Sequence, residues 1–183
     1  LAWSDEAIAI ATASDDPRSL LNAFNCRGVI ELERGEYAVA GELFERCLEL
    51  ARAAGRRRDS VPTAMFNVAF ASALADDEPK AVEHLEESLR TYRELGHAEG
   101  SGYCFVVQAA LAARRGDLVD AARTLSASEA LLEEVGAALE PSEQALYSQT
   151  LDETRAGLDE GEFDEAWEQG RSLADAELAR AAT

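Results

Sequence analysis

Three segments of this 183-residue chain, at residues 34–55, 76–96 and 116–136, share a pattern of side-chain sizes that recurs about every 40 residues. In each segment a small residue is followed four positions later by a large apolar residue, and three positions after that by a second small residue. The columns are Ala40, Ala81 and Ala121, then Phe44, Leu85 and Leu125, then Cys47, Ser88 and Ser128. Positions i, i+4 and i+7 share one face of a helix, so each segment is predicted to be a helix that packs closely on a neighbour.

A second helical pattern precedes each of these segments. Gly28, Ala69 and Ala109 each stand 12 residues before the first small residue of their unit, and Phe24, Met65 and Phe105 stand four residues earlier still. The sequence therefore predicts three helical hairpins, pairing 18–34 with 36–54, 60–75 with 77–95, and 99–115 with 117–135. Gly55, Gly96 and Gly136 close the units, and each is predicted to end its helix in the left-handed conformation.

Both ends of the chain depart from the full repeat. Residues 2–14 match the second helix of a preceding repeat, which predicts that the chain is a fragment of a longer protein. After Gly136, Pro141 suits the first turn of a helix over 142–159. Ser172 and Asp175, in capping-box spacing, predict a short last helix. We expect one domain with repeats over 1–136 (a partial repeat at 1–15 and full repeats at 18–55, 60–96 and 99–136) and capping helices of the same domain over 137–183.

The hairpin pattern resembles the tetratricopeptide repeat, whose minimal unit is 34 residues. The matching columns are Phe24, Gly28, Tyr37, Ala40, Phe44 and Cys47; Met65, Ala69, Ala81, Leu85 and Ser88; and Phe105, Ala109, Leu118, Ala121, Leu125 and Ser128. The period is longer than in the family, and Arg27 and Gln108 occupy a column that is normally leucine. The resemblance implies an all-α fold: a right-handed superhelical array of antiparallel helix pairs, or α-solenoid, with about three full repeats, a partial N-terminal repeat and C-terminal capping helices.

The longer period, the glycine-terminated helices and the arginine-rich linker GRRRDS resemble the MalT-type variant of this repeat. The C-terminal stretch is similar to the closing segment of such arrays at Gly136, Pro141, Tyr147, Leu158, Phe163, Ala166, Trp167, Gly170 and Leu173. Asp159 stands where that segment usually has glycine. This resemblance implies a segment of a bacterial LuxR-type or AfsR-type transcriptional regulator, or of a related signal-transduction ATPase. Its partners would be a protein, a peptide or other domains of the parent regulator.

Composition excludes several classes of function. With 36 acidic and 17 basic residues the net charge is −19, so direct contact with nucleic acid is not expected.

The three cysteines, Cys26, Cys47 and Cys104, have neither disulfide nor metal spacing and are predicted to be reduced, mostly core thiols. No apolar run is long enough to span a membrane and no signal peptide is evident, so a cytoplasmic location is expected. Sixteen arginines against one lysine suggest a bacterium with GC-rich coding.

No catalytic motif is present, and we expect neither an enzyme nor a cofactor. A zinc site built from His84, His97 and Cys104 is conceivable, but the spacing is unusual, and a surface histidine and a histidine after a helix cap explain the pattern better. Arg56, Arg57 and Arg58 offer an anion site, yet charge balance beside so many acids is the simpler interpretation.

A binding groove is the remaining candidate, because the first helices of a repeat array line its concave side. The inner-face columns implied by the resemblance are Asn22, Asn25, Val29, Thr63, Phe66, Phe70, Tyr103, Val106 and Ala110. Aromatic rings and amides suit a peptide or helix ligand. The alternatives are a groove covered by the helix at 142–159, or a passive scaffold without a ligand, which self-associates, for example as a homodimer, or docks within the parent protein.

Overall fold

A computed structural model describes residues 2–14, 16–55 and 60–181, and every regular element in these ranges is an α-helix. The helices are α1 (Ala2–Ala13), α2 (Pro17–Glu33), α3 (Tyr37–Ala53), α4 (Val61–Leu74), α5 (Glu78–Glu94), α6 (Ala98–Arg114), α7 (Leu118–Val135), α8 (Pro141–Gly157) and α9 (Glu160–Ala181). The predicted all-α array of helix pairs is confirmed. The chain forms two compact units, Leu1–Ser88 and Leu89–Thr183, whose boundary falls within α5.

The loops of the array repeat along with the helices. Gly55, Gly96 and Gly136 take φ values of +67°, +63° and +68°, which confirms the predicted left-handed helix ends. Within the hairpins, Gly35 and Gly116 also have positive φ, and Asp76 occupies the corresponding place in the second hairpin with φ +59°. Aspartate is among the non-glycine residues that adopt this conformation most readily, so the second hairpin keeps the same left-handed turn without a glycine.

In the first unit, α1 packs on α2, α2 on α3, and α3 on α4. The size pattern of the repeat explains one close contact between α2 and α3. Phe44 on α3 is fully buried and lies against the backbone of Gly28 on α2, where a Cβ would stand only 2.5 Å from Phe44 Cε1. The glycine therefore makes room for the phenylalanine ring.

The third repeat column forms the same hydrogen bond three times. The Cys47 thiol donates to Leu21 O at 3.4 Å, the Ser88 hydroxyl to Pro62 O at 2.9 Å, and the Ser128 hydroxyl to Gly102 O at 2.8 Å. Each donor lies on the second helix of a pair and each acceptor on the first. The column is therefore small so that helices can approach, and polar so that a buried carbonyl oxygen receives a second hydrogen bond.

In the second unit α7 packs against α6, α8 and α9. The short last helix predicted from Ser172 and Asp175 is wrong, because α9 runs unbroken from Glu160 to Ala181. Gly170 lies in the middle of α9 and lets it approach the backbone of α7. The Ser126 hydroxyl donates to Trp167 O at 2.6 Å beside this contact.

A buried carboxylate fixes the C-terminal end of α9. Glu177 is 4% exposed, and its Oε1 accepts hydrogen bonds at 2.6 Å from both Arg93 Nη2 and Arg180 Nη1. A second Arg93 donor, Nε, also reaches the carboxylate at 3.0 Å. With two guanidinium groups around it, the buried charge of Glu177 is compensated, as a buried carboxylate requires.

Candidate functional site

The predicted inner-face residues of the first unit fall into an exposed group and a buried group. Asn22, Val29 and Thr63 are exposed, and Asn25 is half-buried. Phe66 and Phe70 are 5% and 4% exposed, and their rings stack on each other with centroids 5.9 Å apart. The polar members therefore meet solvent, whereas both phenylalanines belong to the core.

Three of these polar residues come together in one cleft. Asn22, Asn25 and Thr63 line a space of about 230 Å³, which we call the α2–α4 cleft. The remaining lining residues are Leu21, Cys47, Ser60 and Ala64. Asn25 Oδ1 accepts a hydrogen bond from Asn67 Nδ2 at 3.0 Å, which holds the amide in a fixed orientation. The cleft thus combines apolar walls with amide and hydroxyl groups.

The Cys47 thiol, which lines the α2–α4 cleft, is a hydrogen-bond donor. Burial raises the pKa of Cys47 to about 12, with a smaller contribution from Cys26. The protonated thiol donates to Leu21 O. Cys104 is also buried, whereas Cys26 is exposed on α2, so two of the three cysteines lie in the core, in agreement with the expectation of mostly core positions.

In the second unit the predicted inner-face residues are mostly enclosed. Val106 and Ala110 are 1% and 3% exposed, and α8 packs against α6, which carries both. Tyr103 is half-buried, and its hydroxyl donates to Glu99 Oε1 at 2.8 Å, with Ala138 O 3.3 Å away. The side chains of Val106, Phe66 and Phe70 are within the packed core. Contact of a ligand with these three residues stays a prediction.

Of the candidate zinc ligands, His97 has a structural role, whereas the buried Nδ1 of His84 has no hydrogen-bond partner among the described residues. His97 is the N-cap of α6, where its Nδ1 accepts a hydrogen bond from Gly100 N at 3.0 Å. In residues 2–14, 16–55 and 60–181 no three His, Cys, Asp or Glu side chains form a group suited to a metal ion. Arg56, Arg57 and Arg58 lie outside the described residues. None of the helices that the structure describes has both the length and the apolar character of a membrane span.

A partly buried carboxyl group lies at the N-terminus of α8. Glu143 accepts a hydrogen bond from Glu140 N at 3.0 Å and completes a capping box. Burial, and to a lesser extent the negative charges of Glu140 and Glu99, raise the pKa of Glu143 to about 7, while the bond from Glu140 N opposes them. The pKa of the Tyr103 phenol is raised as well. Burial is the largest cause, the hydrogen bond to Glu99 is the next, and the charge of Glu143 makes a smaller contribution.

This shift predicts a pH-dependent stability. The pKa of Glu143 is above its ordinary value of 4.5, so the folded chain binds this proton more tightly than the unfolded chain. Its contribution to stability is therefore complete below about pH 4.5 and is lost as the pH rises through about 7. We expect Glu143→Gln, which keeps the capping box, to raise the free energy of unfolding at pH 8 by about 2 kcal/mol and to change it little at pH 4.5.

Urea denaturation followed by circular dichroism at several pH values measures this difference. Glu153→Gln is the matched control, because Glu153 is an exposed glutamate on the same helix. If the pH profiles of the Glu143→Gln variant and the native chain run parallel, Glu143 does not carry the predicted pH dependence.

Comparison with known proteins identifies one part of the chain. Residues 19–94 match the family model described as tetratricopeptide repeat. No curated protein and no solved structure matches the chain. Tetratricopeptide repeats generally mediate protein–protein interactions and are generally non-catalytic. The matched region contains α2 to α5, including the α2–α4 cleft, and is similar to tetratricopeptide repeats.

Proposed function

We propose that this chain is a non-enzymatic protein-interaction segment of a bacterial signal-transduction or transcriptional regulator, and that its α2–α4 cleft binds an extended peptide of the partner. The observation that carries this proposal is the convergence of Asn22, Asn25 and Thr63 on one cleft. Side-chain amides both donate and accept hydrogen bonds, so they suit the N–H and C=O groups of a peptide backbone.

The surroundings of the cleft support a peptide ligand. Leu21 and Ala64 supply apolar walls, and Val29, 46% exposed, lies on the same helix as Asn22 and Asn25. The bond between Asn25 and Asn67 fixes one amide before binding, which reduces the entropy lost when a ligand is ordered. The net charge of −19 favours a neutral or basic peptide over an acidic one.

Selection of a random-peptide display library on the immobilised chain, followed by titration calorimetry with the enriched peptides, tests the proposal. We expect the Asn22→Ala/Thr63→Ala double variant to weaken peptide binding at least about tenfold, because each of the two substitutions removes a polar side-chain group that faces the ligand. Gln169→Ala, which removes an exposed amide from α9, is the control. Failure to enrich any peptide, or binding that is indifferent to the double substitution, would refute this role of the cleft.

A passive scaffold is the second candidate, and one observation favours it. Trp3 and Ile10 on α1 are 85% and 62% exposed, and their spacing of seven residues places them on one helix face. An exposed apolar stripe is typical of self-association or of docking against another part of the parent protein. Light scattering, together with the peptide titration, separates the two candidates. The scaffold is supported if the chain forms a stable dimer, if Trp3→Ser dissociates that dimer, and if no peptide binds at the α2–α4 cleft.

A further inference from the structure

A second cavity with a defined lining lies in the second unit of the chain, whereas the α2–α4 cleft belongs to the first. It has a volume of about 370 Å³ and is formed by α7, the non-helical linker at 137–139 and α8. Its lining residues are Ser128, Glu129, Leu132, Glu133, Ala137, Ala138, Leu139, Gln144 and Tyr147. This volume is within the usual range for small-ligand sites. We call it the α7–α8 cavity.

The charged side chains that line the α7–α8 cavity are both acidic. Glu129 and Glu133 are four residues apart on α7, so their carboxylates lie on the same helix face. Among the described lining residues no side chain is basic. Arg155, whose charge reaches Tyr147, lies over the ring of Phe163 at 5.2 Å and is not part of the lining. The cavity therefore disfavours anions and favours a cationic group.

The carboxylate of Glu129 on α7 is held in position by a residue of α8. The hydroxyl of Tyr147, on α8, donates to Glu129 Oε2 at 2.5 Å and so fixes that carboxylate at the edge of the cavity. The second oxygen of a carboxylate, and its remaining lone pairs, can accept from an ammonium or guanidinium donor. Of the neutral polar groups in the lining, the Ser128 hydroxyl donates to Gly102 O and Gln144 Nε2 donates to Ser148 Oγ, so the two carboxylates are the groups that attract a cation.

The rest of the lining suits an apolar chain. Leu132 from α7 and Ala137, Ala138 and Leu139 from the linker line the same cavity as the carboxylates, and Tyr147 adds an aromatic residue. An ammonium group near such a ring gains a cation–π interaction in addition to its ion pair. A ligand with both a positive charge and an apolar body therefore matches this lining better than an inorganic cation.

We propose that the α7–α8 cavity binds an organic cation: a primary ammonium or guanidinium group on a short aliphatic or aromatic chain. The charged group pairs with Glu129 and Glu133, and the apolar chain contacts Leu132 and Leu139. A free amine and the side chain of a partner's lysine or arginine share this chemistry. The site shares no lining residue with the α2–α4 cleft and does not depend on the proposed peptide binding there.

Two-dimensional NMR titrations of the full chain with phenethylammonium and with N-acetyl-lysine methylamide test the proposal and separate the two sources. We expect both probes to shift amide signals of residues 128–147. The probe that binds with the higher affinity shows whether the cavity prefers a free amine or the side chain of a partner's lysine or arginine. 2-Phenylethanol, which has the apolar body without the charge, is expected to bind at least about tenfold more weakly.

Variants establish which carboxylates are responsible. Glu129→Gln/Glu133→Gln is expected to weaken phenethylammonium binding at least about tenfold, while the amide oxygen introduced at position 129 still accepts the Tyr147 hydrogen bond. Glu134→Gln changes a neighbouring exposed carboxylate on α7 that does not line the cavity, and should change the affinity less than about twofold. An equal loss in Glu134→Gln, equal binding of 2-phenylethanol, or no localised shifts with either cation would overturn the proposal.

Discussion

Replacing Phe44 with alanine is expected to lower the free energy of unfolding by about 4 kcal/mol, because the ring is 1% exposed and its removal leaves a large cavity between α2 and α3. Thermal and urea denaturation followed by circular dichroism measure the loss. Val39→Ala, at a 43% exposed position on the same helix, is the control and should cost well under about 1 kcal/mol.

A size exchange between Phe44 and Gly28 tests the reason for this stability. Gly28→Ala alone should destabilise by roughly 2 kcal/mol, because the added methyl group meets the buried ring. The other two repeats combine alanine and leucine in these columns, as Ala69 with Leu85 and Ala109 with Leu125. Gly28→Ala/Phe44→Leu should therefore be more stable than the sum of its single changes predicts. Simple additivity would show that the two sites are not packed against each other.

Replacing Gly170 with valine is expected to cost roughly 3 kcal/mol, because the added side chain has no room. A Cβ at this position would overlap the carbonyl oxygen of Arg123 and stand 2.5 Å from Ser126 Cβ. Backbone atoms of a packed helix cannot move aside as a flexible side chain can, so α9 must shift away from α7. The hydrogen bond from Ser126 to Trp167 O lies beside this contact and would be strained as well.

Gly161→Val is the matched control for Gly170→Val, and thermal denaturation compares the two variants. Gly161 lies on the same helix, is exposed, and its Cβ would meet only Asp159 Oδ1, at 3.4 Å. Valine has a somewhat better helix propensity than glycine, so the control should be neutral or slightly stabilising. Equal melting temperatures for the two variants would contradict the close approach of α9 to α7.

The repeat columns illustrate how far the sequence predicts a contact. Small residues at Cys47, Ser88 and Ser128 predicted a close helix approach, and the structure has one. Their common hydrogen bond to a carbonyl of the preceding helix was missed. The signal was present, since a thiol and two hydroxyls all donate, but small size alone already explained the column.

The candidate site was predicted less well than the fold. A helical face defined by repeat register contains Asn22, Asn25 and Thr63, and these do share a cleft. The same register also contains Phe66 and Val106, which are core residues. Register fixes the direction of a side chain from its own helix, but not which other residues cover it. The α7–α8 cavity depends on the path of the linker at 137–139, which has no repeat counterpart.

By itself the sequence determined the helices, their pairing and the left-handed helix ends at Gly55, Gly96 and Gly136, because local periodicity, side-chain size and glycine placement act over one or two helices. Only the tertiary structure decided which polar residues line a space, that α9 continues through Gly170, and that Glu143 is partly buried. These properties depend on contacts between residues far apart in the chain, and a sequence pattern does not give their distances.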